Sequence, residues 1–266
     1  MSFEYRTGEN GLLMLKSSLL EREKGVDHFY STKKGGTSTG DHESLSFRYT
    51  DNTADSVHQN FAIAARGIGR DFDDVVRTQQ VHRDKVCKVE GGHGYRIAAL
   101  DNDGLVTNVK GVVLSGFYAD CQVLLLYDRE NEAIGLCHSG WRGTVLDISK
   151  KTIDLMEKEY GTKAENLIVT IGPSICQDCF ECDRDVLDAF VNAYGQDIER
   201  FFKIKGKKYH PDINAITEYR LKERGVRAEN IDVSRICTYC KDSELYWSHR
   251  RNGLKRGVHG AFITLK

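Results

Sequence analysis

This sequence has few prolines, almost no net charge and no long apolar run. Each of these features limits the class of protein to which the chain can belong. Only two prolines, Pro173 and Pro211, occur in 266 residues, and no low-complexity linker separates them. One continuous domain over residues 1–266 is therefore expected. The formal net charge of −1 provides no general attraction to nucleic acid or to a membrane surface. The longest apolar stretches, such as 122–127, are strand-sized and too short to span a bilayer.

The N-terminus also lacks the pattern of a secretion signal. It reads Met-Ser-Phe-Glu-Tyr-Arg, with no basic region followed by an apolar run. The predicted location is therefore the cytoplasm. In that reducing compartment the eight cysteines would remain reduced, so metal binding, catalysis or burial must explain them.

Hydrophobic periodicity predicts strands and helices in irregular alternation. Apolar residues recur at helical spacing over 57–68 and 144–160, and Asp183 and Pro211 are expected to open two further helices. Strands are predicted over 75–81, 112–118, 122–127, 133–137, 167–171 and 261–265. Runs of neighbouring strands mixed with long helices indicate an α+β fold.

Three potential metal ligands stand at the ends of predicted strands. His82 follows the strand over 75–81, Cys121 lies between two apolar strands, and His138 ends a third. Neutral imidazole and thiolate are the ligands that zinc prefers, and three protein ligands leave a fourth position for water or substrate. The three residues are far apart in the sequence, so the alternative is that each is a packed structural side chain.

A glycine-flanked turn follows His138. Glycines at a strand-to-helix turn let backbone N–H groups approach a ligand, and Arg142 within this turn could clamp a phosphate. In the alternative interpretation Trp141 packs in the core and Arg142 pairs with a carboxylate. A second glycine-rich stretch, 33–40, either cradles phosphate or forms a flexible turn, and it lacks the Walker spacing.

Five of the cysteines have the spacing of metal ligands. Cys176, Cys179 and Cys182 form C-x₂-C-x₂-C, and Cys237 and Cys240 form C-x₂-C. Such spacing is typical of a closed structural zinc site or of an iron–sulfur cluster. The triplet, however, lies between a predicted strand end and a helix start, which is not the usual setting of a zinc knuckle.

These segments resemble the laccase-domain family, also called polyphenol oxidases, whose members are regarded as zinc-dependent purine nucleoside phosphorylases. The resemblance runs from about Lys33 to the C-terminus. It is carried by QQVHRDKV, DNDGLVTN, ADCQVLL, HSGWRGT, IGPSICQDCFE and CTYCKDSELYWSHRR. The HSGWRG block with the upstream ADC is highly specific to the family. The family's metal ligands correspond to His82, Cys121 and His138.

The resemblance implies a fold and an activity. The family fold is a layered α/β/β/α sandwich with mixed sheets, similar to that of the cytotoxic necrotising factor toxins. One zinc ion per chain and phosphorolysis of adenosine, inosine or methylthioadenosine are expected, with purine nucleosides and phosphate as partners. We predict Arg142 as the anion clamp beside the metal ligands. Predicted substrate-binding residues are Lys33, Ser38, Arg48 and Gln80.

The sequence departs from the family pattern at several positions. Lys33 stands where the family usually has arginine, and Ser46 where it usually has asparagine. Cys179 and Cys237 occupy positions that are commonly cysteine, whereas Cys176, Cys182 and Cys240 are additional. We therefore predict that these three additional cysteines are packed or free thiols and form no cluster.

Other chemistries use the same residues. Adenosine deamination would need a zinc-activated water and a general acid, for which Asp120 and Glu181 are candidates. A copper-dependent polyphenol oxidase is a different enzyme class, and the sequence shows no second set of histidines at copper-like positions. In a cysteine hydrolase, Cys121 would be the nucleophile and His138 its base. A non-enzymatic metal-binding protein is the remaining alternative.

Overall fold

Two β-sheets lie face to face, and helices cover their outer surfaces. The computed structural model describes residues 3–8, 11–50, 53–91 and 95–266. The strands are β1 (Phe3–Thr7), β2 (Leu13–Ser17), β3 (Val26–Ser31), β4 (Val75–Arg77), β5 (Val86–Lys88), β6 (Arg96–Ile97), β7 (Gly104–Thr107), β8 (Val113–Tyr118), β9 (Gln122–Asp128), β10 (Ala133–Ser139), β11 (Leu167–Ile171), β12 (Phe202–Lys205), β13 (Lys208–Pro211), β14 (Ile231–Val233) and β15 (His259–Leu265). The helices are α1 (Ser18–Glu21), α2 (Ala54–Arg66), α3 (Trp141–Val145), α4 (Ile148–Tyr160), α5 (Arg184–Tyr194), α6 (Ile213–Glu223) and α7 (His249–Asn252). None of the helices within the described ranges has the length and apolar character needed to cross a membrane.

Both large sheets are mixed. The first has seven strands in the order β1-β2-β3-β15-β8-β4-β6, and the second has six in the order β14-β11-β9-β10-β7-β5. Parallel pairs occur where β4 joins β8 and β6, and at the two edges of the second sheet. The remaining neighbours in the two sheets pair antiparallel. The α+β class predicted from the sequence is confirmed.

Alternation of side chains along β9 shows how the layers pack. Leu125 faces the core between the two sheets, whereas Leu124 and Leu126 face the outer core beneath α4 and α6. A strand buried on both faces must be apolar throughout, which is why 123–127 reads as one hydrophobic run. On the other side, Val57 and Phe61 of α2 pack on the first sheet. The predicted α/β/β/α layering is confirmed.

Two predicted elements differ from the structure near the predicted metal ligands. The strand expected over 75–81 ends at Arg77, because the following backbone bonds to another segment: Asn102 N–H donates to the Gln79 carbonyl at 3.0 Å. The helix expected from Thr144 begins at Trp141 and breaks at Asp147, whose φ of +54° interrupts it and whose side chain caps α4. Arg142 therefore lies inside a short helix.

One helix start is also displaced. Pro211 ends β13, and Asp212 caps α6 because its carboxylate accepts the Ala215 N–H at 3.0 Å. The structure otherwise agrees with the predicted helix ends. Gly161 closes α4 with a left-handed φ of +73°, as expected for a glycine C-cap.

Candidate metal centre and pocket

The pairing of β9 with β10 brings two of the predicted ligands together. Gln122 pairs with Ser139 at the open end of this hairpin, so Cys121, which precedes β9, lies beside the end of β10, where His138 stands. His82 arrives from the loop after β4. The ligand atoms of His82, Cys121 and His138 all lie within 4.8 Å of one another. We call these three residues the mixed-ligand centre.

Gly140 makes room for this approach. A Cβ atom added at Gly140 would lie 3.0 Å from the Cys121 Sγ and 3.2 Å from the His82 Cδ2. The His82 backbone adopts a left-handed φ of +59°, and its ring stands almost perpendicular to the His138 ring, with centroids 4.8 Å apart. Any larger side chain at Gly140 would therefore push two ligands apart.

Asp103 organises the centre from beneath. Its buried carboxylate accepts backbone N–H groups of Val81, His82 and Arg83, each at 3.0 Å, and lies 2.8 Å from the His138 Nδ1. Burial raises the pKa of this carboxyl, but the His138 and backbone donors outweigh burial and hold it below its usual value. With Nδ1–H directed at Asp103, the His138 Nε2 is available to a metal.

Asp103 was not among the residues predicted from the sequence. It lies in the quoted segment 101–108, directly before β7. The pairing of β7 with β10 sets Gly104 opposite Cys137 and so brings Asp103 next to His138. An acidic residue immediately before a buried strand was the available signal, but only the pairing of the strands shows its target.

The charge distribution of the centre suits a metal. Burial raises the pKa of the Cys121 thiol, but the His138 and His82 imidazoles outweigh it, so its pKa falls below the ordinary value. Burial lowers the pKa of His138, yet the Cys121 and Asp103 charges raise it overall. A stabilised thiolate, two imidazoles and a carboxylate behind one of them match the ligands and supporting shell of zinc.

The mixed-ligand centre opens into a pocket of about 420 Å³. Its wall is partly apolar and partly cationic. The apolar part includes Ala119, Trp141, Ile175, Phe180 and Ile213, and the cationic part includes Arg142, Arg250 and Arg256. A ligand that carries both a flat apolar group and a negative charge matches this combination of side chains.

Arg142 is exposed and lies over the Trp141 ring, 4.2 Å from its centroid. Within the described parts of the chain, no carboxylate lies within ion-pairing distance of it. The alternative in which Arg142 pairs with a carboxylate therefore finds no partner there. Arg250 and Arg256 were missed by the sequence analysis because single arginines in a long C-terminal segment carry no spacing signal.

The carboxylate of Asp120, a candidate general acid, already accepts three hydrogen bonds within the protein. Its carboxylate accepts the Thr238 hydroxyl at 2.7 Å, the Ser248 hydroxyl at 3.1 Å and the Arg250 backbone N–H at 2.6 Å. These bonds fix the residue before Cys121 in a backbone conformation with φ of +93°. The second candidate, Glu181, is exposed, and its backbone carbonyl accepts the Arg250 guanidinium at 2.8 Å.

Lys33 lies elsewhere. Its ammonium donates to the Ser243 carbonyl at 2.6 Å and stands 4.2 Å from the centroid of the Trp247 ring. This arrangement borders a separate cavity of about 280 Å³. Lys33 is not among the side chains that line the pocket at the mixed-ligand centre.

The other three predicted substrate-binding residues also lie outside that lining. The Ser38 hydroxyl accepts the Asn60 amide at 2.9 Å. The Gln80 amide bonds both backbone groups of Phe117, at 2.6 and 2.7 Å, and so fastens the loop to β8. Arg48 is near enough to Arg256 for its charge, after burial, to help lower the pKa of that guanidinium.

Four of the cysteines converge in the structure. The sulfurs of four cysteines lie within 4.8 Å of one another; these are Cys176, Cys179, Cys237 and Cys240. The sequence did not lead us to expect that Cys176 and Cys240 converge, and they do so because two loops distant in sequence meet; that they bind no metal cluster stays a prediction. Cys182 stays outside, with its thiol donating to the Tyr209 carbonyl at 3.2 Å. We call the four residues the four-cysteine group. In the described ranges it and the mixed-ligand centre are the only such convergences of His, Cys, Asp or Glu.

Comparison with known proteins places this fold and site in a family. A family model described as multi-copper polyphenol oxidoreductase laccase matches residues 27–266, and the chain belongs to that family, as predicted. A purine nucleoside phosphorylase of Bacteroides thetaiotaomicron is 32% identical over 255 residues, covering 92% of this chain and 93% of that protein. Adenosine deaminase RL5, from an unknown prokaryotic organism, is 34% identical over 203 residues, or 73% of this chain and 76% of that one. The crystal structure of the Bacillus licheniformis hypothetical protein YfiH matches with a TM-score of 0.88 at 29% identity, over 98% of this chain and 99% of that one.

Proposed function

We propose that this chain is a zinc-dependent purine nucleoside phosphorylase that cleaves adenosine and inosine with phosphate to the free base and ribose 1-phosphate. The observation that carries the proposal is the opening of the mixed-ligand centre into a pocket with aromatic and arginine walls. The phosphorylase relative, similar over nearly its whole length, supports the same activity. Adenosine deamination is a second activity that we propose for the same site, because the chain is also similar to adenosine deaminase RL5.

The pocket residues account for binding. Trp141 and Phe180 provide flat apolar surface for a purine, and Arg142 can turn towards an anion because the structure gives it no competing carboxylate among the described residues. Arg250 and Arg256 add positive charge in the same pocket. Together the three guanidiniums would hold phosphate for attack on the ribose carbon, and the negative phosphate would stabilise the positive charge of an oxocarbenium-like ribose. Their positive charge would also offset the negative charge that develops on the departing purine.

The ligand residues account for the metal. His82, Cys121 and His138 would hold one zinc ion, and two of them, His82 and Cys121, line the pocket. A zinc ion there would supply Lewis-acid chemistry to a polar group of the substrate or to water. Asp103 orients His138 and fixes the His82 loop, so the ligands are held before substrate arrives.

One observation favours a second candidate function. Cys121, His138 and Asp103 also have the arrangement of a thiolate, an imidazole and an orienting carboxylate, as in a cysteine hydrolase. His82 weighs against this alternative, because its ring nitrogen also lies within 4.8 Å of the other two ligand atoms and a catalytic triad needs no second imidazole. Activity that survives complete removal of metal would favour the hydrolase.

The proposal is tested by incubating the metal-analysed protein with inosine and with adenosine, each with and without phosphate, and identifying the products. Hypoxanthine or adenine with ribose 1-phosphate, formed only when phosphate is present, is the expected result. Loss of this activity on chelation and its return with zinc would assign the metal. Phenol oxidation by copper-loaded protein, with no nucleoside cleavage by zinc-loaded protein, would refute the proposal.

A further inference from the structure

The four-cysteine group lies beside the pocket wall, on two loops that run side by side. Its first pair of cysteines belongs to the loop after β11, and its second pair to the loop after β14. We propose that this group binds one zinc ion tetrahedrally, as a structural site separate from the mixed-ligand centre. The inference rests on the cysteines alone and does not require the proposed nucleoside chemistry.

The backbone brings two matching turns together. In the first turn Phe180 N–H donates to the Cys176 carbonyl at 2.9 Å, and in the second Lys241 N–H donates to the Cys237 carbonyl at 3.2 Å. A parallel β-bridge pairs Ser174 with Cys237 and sets the turns next to each other. Each turn presents two cysteines at C-x₂-C spacing, which is the spacing of structural zinc ligands.

The distances fit a single ion. Zinc–sulfur bonds of about 2.3 Å place the sulfurs of a tetrahedral site about 3.8 Å apart. The Cys176 and Cys240 sulfurs are 4.0 Å apart, and no pair of ligand atoms in the group exceeds 4.8 Å. In an iron–sulfur cluster, bridging sulfides separate the irons, so sulfurs bound to different irons lie farther apart than these. All four cysteines are free thiols.

Backbone donors favour negative charge on one sulfur of the group, that of Cys237. The backbone N–H groups of Cys176 and Cys240 donate to the Cys237 Sγ at 3.3 and 3.5 Å, as expected around a sulfur that ligates a metal as thiolate. Asp178, the one carboxylate within the first turn, pairs instead with two lysines of β12 at 3.3 and 3.1 Å. The ligand set is therefore sulfur only.

A zinc ion bound by four cysteines has no open position, so its role is mechanical. It would tie the loop that supplies Ile175 and Phe180 to the pocket to the loop that supplies Thr238. The Thr238 hydroxyl bonds Asp120 at 2.7 Å, and Asp120 precedes Cys121. The structural site would thus hold both a wall of the pocket and the segment that carries one ligand of the mixed-ligand centre.

Zinc content tests the proposal. Protein purified under reducing conditions should contain about two zinc ions per chain, and Cys240→Ser should contain about one. Cys182→Ser is the matched control, because Cys182 completes the C-x₂-C-x₂-C spacing but lies outside the group; it should keep both ions. Equal zinc content in wild type and Cys240→Ser would overturn the proposal.

X-ray absorption at the zinc edge of a second variant makes the test independent of how Cys240→Ser folds. His138→Ala removes a ligand of the mixed-ligand centre and should retain one zinc ion. That ion should have four sulfurs at about 2.3 Å and no nitrogen at about 2.0–2.1 Å. The proposal fails if this variant holds no zinc, if iron with inorganic sulfide occupies the group, or if mass spectrometry of the wild type as purified, with no reductant added to the sample, shows a disulfide between Cys176 and Cys240.

Discussion

The mixed-ligand centre and the four-cysteine group differ in what holds their ligands in place. In the mixed-ligand centre, strand pairing and the Asp103 carboxylate position the side chains, and Gly140 leaves space for them to meet. In the four-cysteine group, two short turns carry the ligands, and one β-bridge joins these turns. The first site is preorganised by the fold, whereas the second would be completed by its ion.

Because the two sites are held differently, we expect loss of one metal to affect activity and loss of the other to affect stability. The strands around the mixed-ligand centre belong to sheets whose cores pack without any metal, so losing that zinc should remove chemistry and leave the fold. The turns of the four-cysteine group have less support, so losing that zinc should reduce stability and leave much of the chemistry.

The largest effect is expected for Cys121→Ala. Removing the thiolate from a three-ligand site should release zinc and lower phosphorolysis on the order of a thousandfold or more, since the metal's charge stabilisation is worth several kcal/mol. The melting temperature should change little because the strand register is retained. Zinc analysis, product formation and thermal melting on one preparation measure all three. Cys87→Ala, a half-buried cysteine of β5, is the control and should keep zinc and activity.

The next largest effect is expected for Arg142→Ala. If its guanidinium contacts phosphate mainly in the transition state, the barrier to phosphorolysis should rise by about 2–3 kcal/mol. The rate of phosphorolysis should therefore fall by about 30- to 150-fold. Deamination needs no phosphate and should fall much less. Both rates should be measured on the same zinc-loaded preparation, with the dependence on phosphate concentration. Arg142→Lys should recover part of the loss, because it keeps the charge without the forked donors.

Equal loss of both activities in Arg142→Ala, together with depleted zinc, would assign the residue a structural role instead. Arg129→Ala is a suitable surface control. Arg129 pairs with Glu23 at 2.7 Å, and an exposed ion pair of this kind contributes little to stability.

The ligands of the mixed-ligand centre could be predicted from the sequence, but their support could not. The motif resemblance named His82, Cys121 and His138, and the structure brings them together. Asp103 acts through three backbone N–H groups and one imidazole, and those partners become neighbours only through the pairing of β7 with β10. Sequence periodicity gives strands but not which strands pair.

For the four-cysteine group the spacing was visible in the sequence, but the convergence of the two pairs was not. The comparison with family positions led to the prediction of packed or free thiols that form no cluster. Two pairs of residues some 60 positions apart meet because β14 lies parallel to β11 at the edge of the second sheet, which places the loops that follow both strands at the same end. A crossover of this kind cannot be inferred from local patterns.

The third-largest effect, a loss of zinc affinity, is expected for Asp103→Asn. This variant tests whether the fold preorganises the mixed-ligand centre. Asp103→Asn keeps the shape but loses the charge and one acceptor oxygen, so the His138 and His82 loop contacts cannot all remain. Zinc affinity should fall about 10- to 100-fold, as is usual when a partner of a ligating histidine is changed. Competition with a metal chelator measures the affinity. Asp101→Asn is the control: Asp101 is exposed with a left-handed φ of +54°, which asparagine tolerates, and unchanged affinity is expected.

The smallest effect on activity is expected for Cys240→Ser, and it tests the other half of the contrast. Saturating substrate should give a rate within about threefold of wild type, because strand pairing and Asp103 still position His138 and the His82 loop when the Thr238 support of Asp120 is weakened. The melting temperature, in contrast, should fall on the order of 5 °C, which corresponds to about 2 kcal/mol for a chain of this size. KM should rise more than kcat falls, since Ile175 and Phe180 belong to the released pocket wall. A fall in kcat as large as that of Cys121→Ala, with an unchanged melting temperature, would show that the two sites are not divided between chemistry and stability.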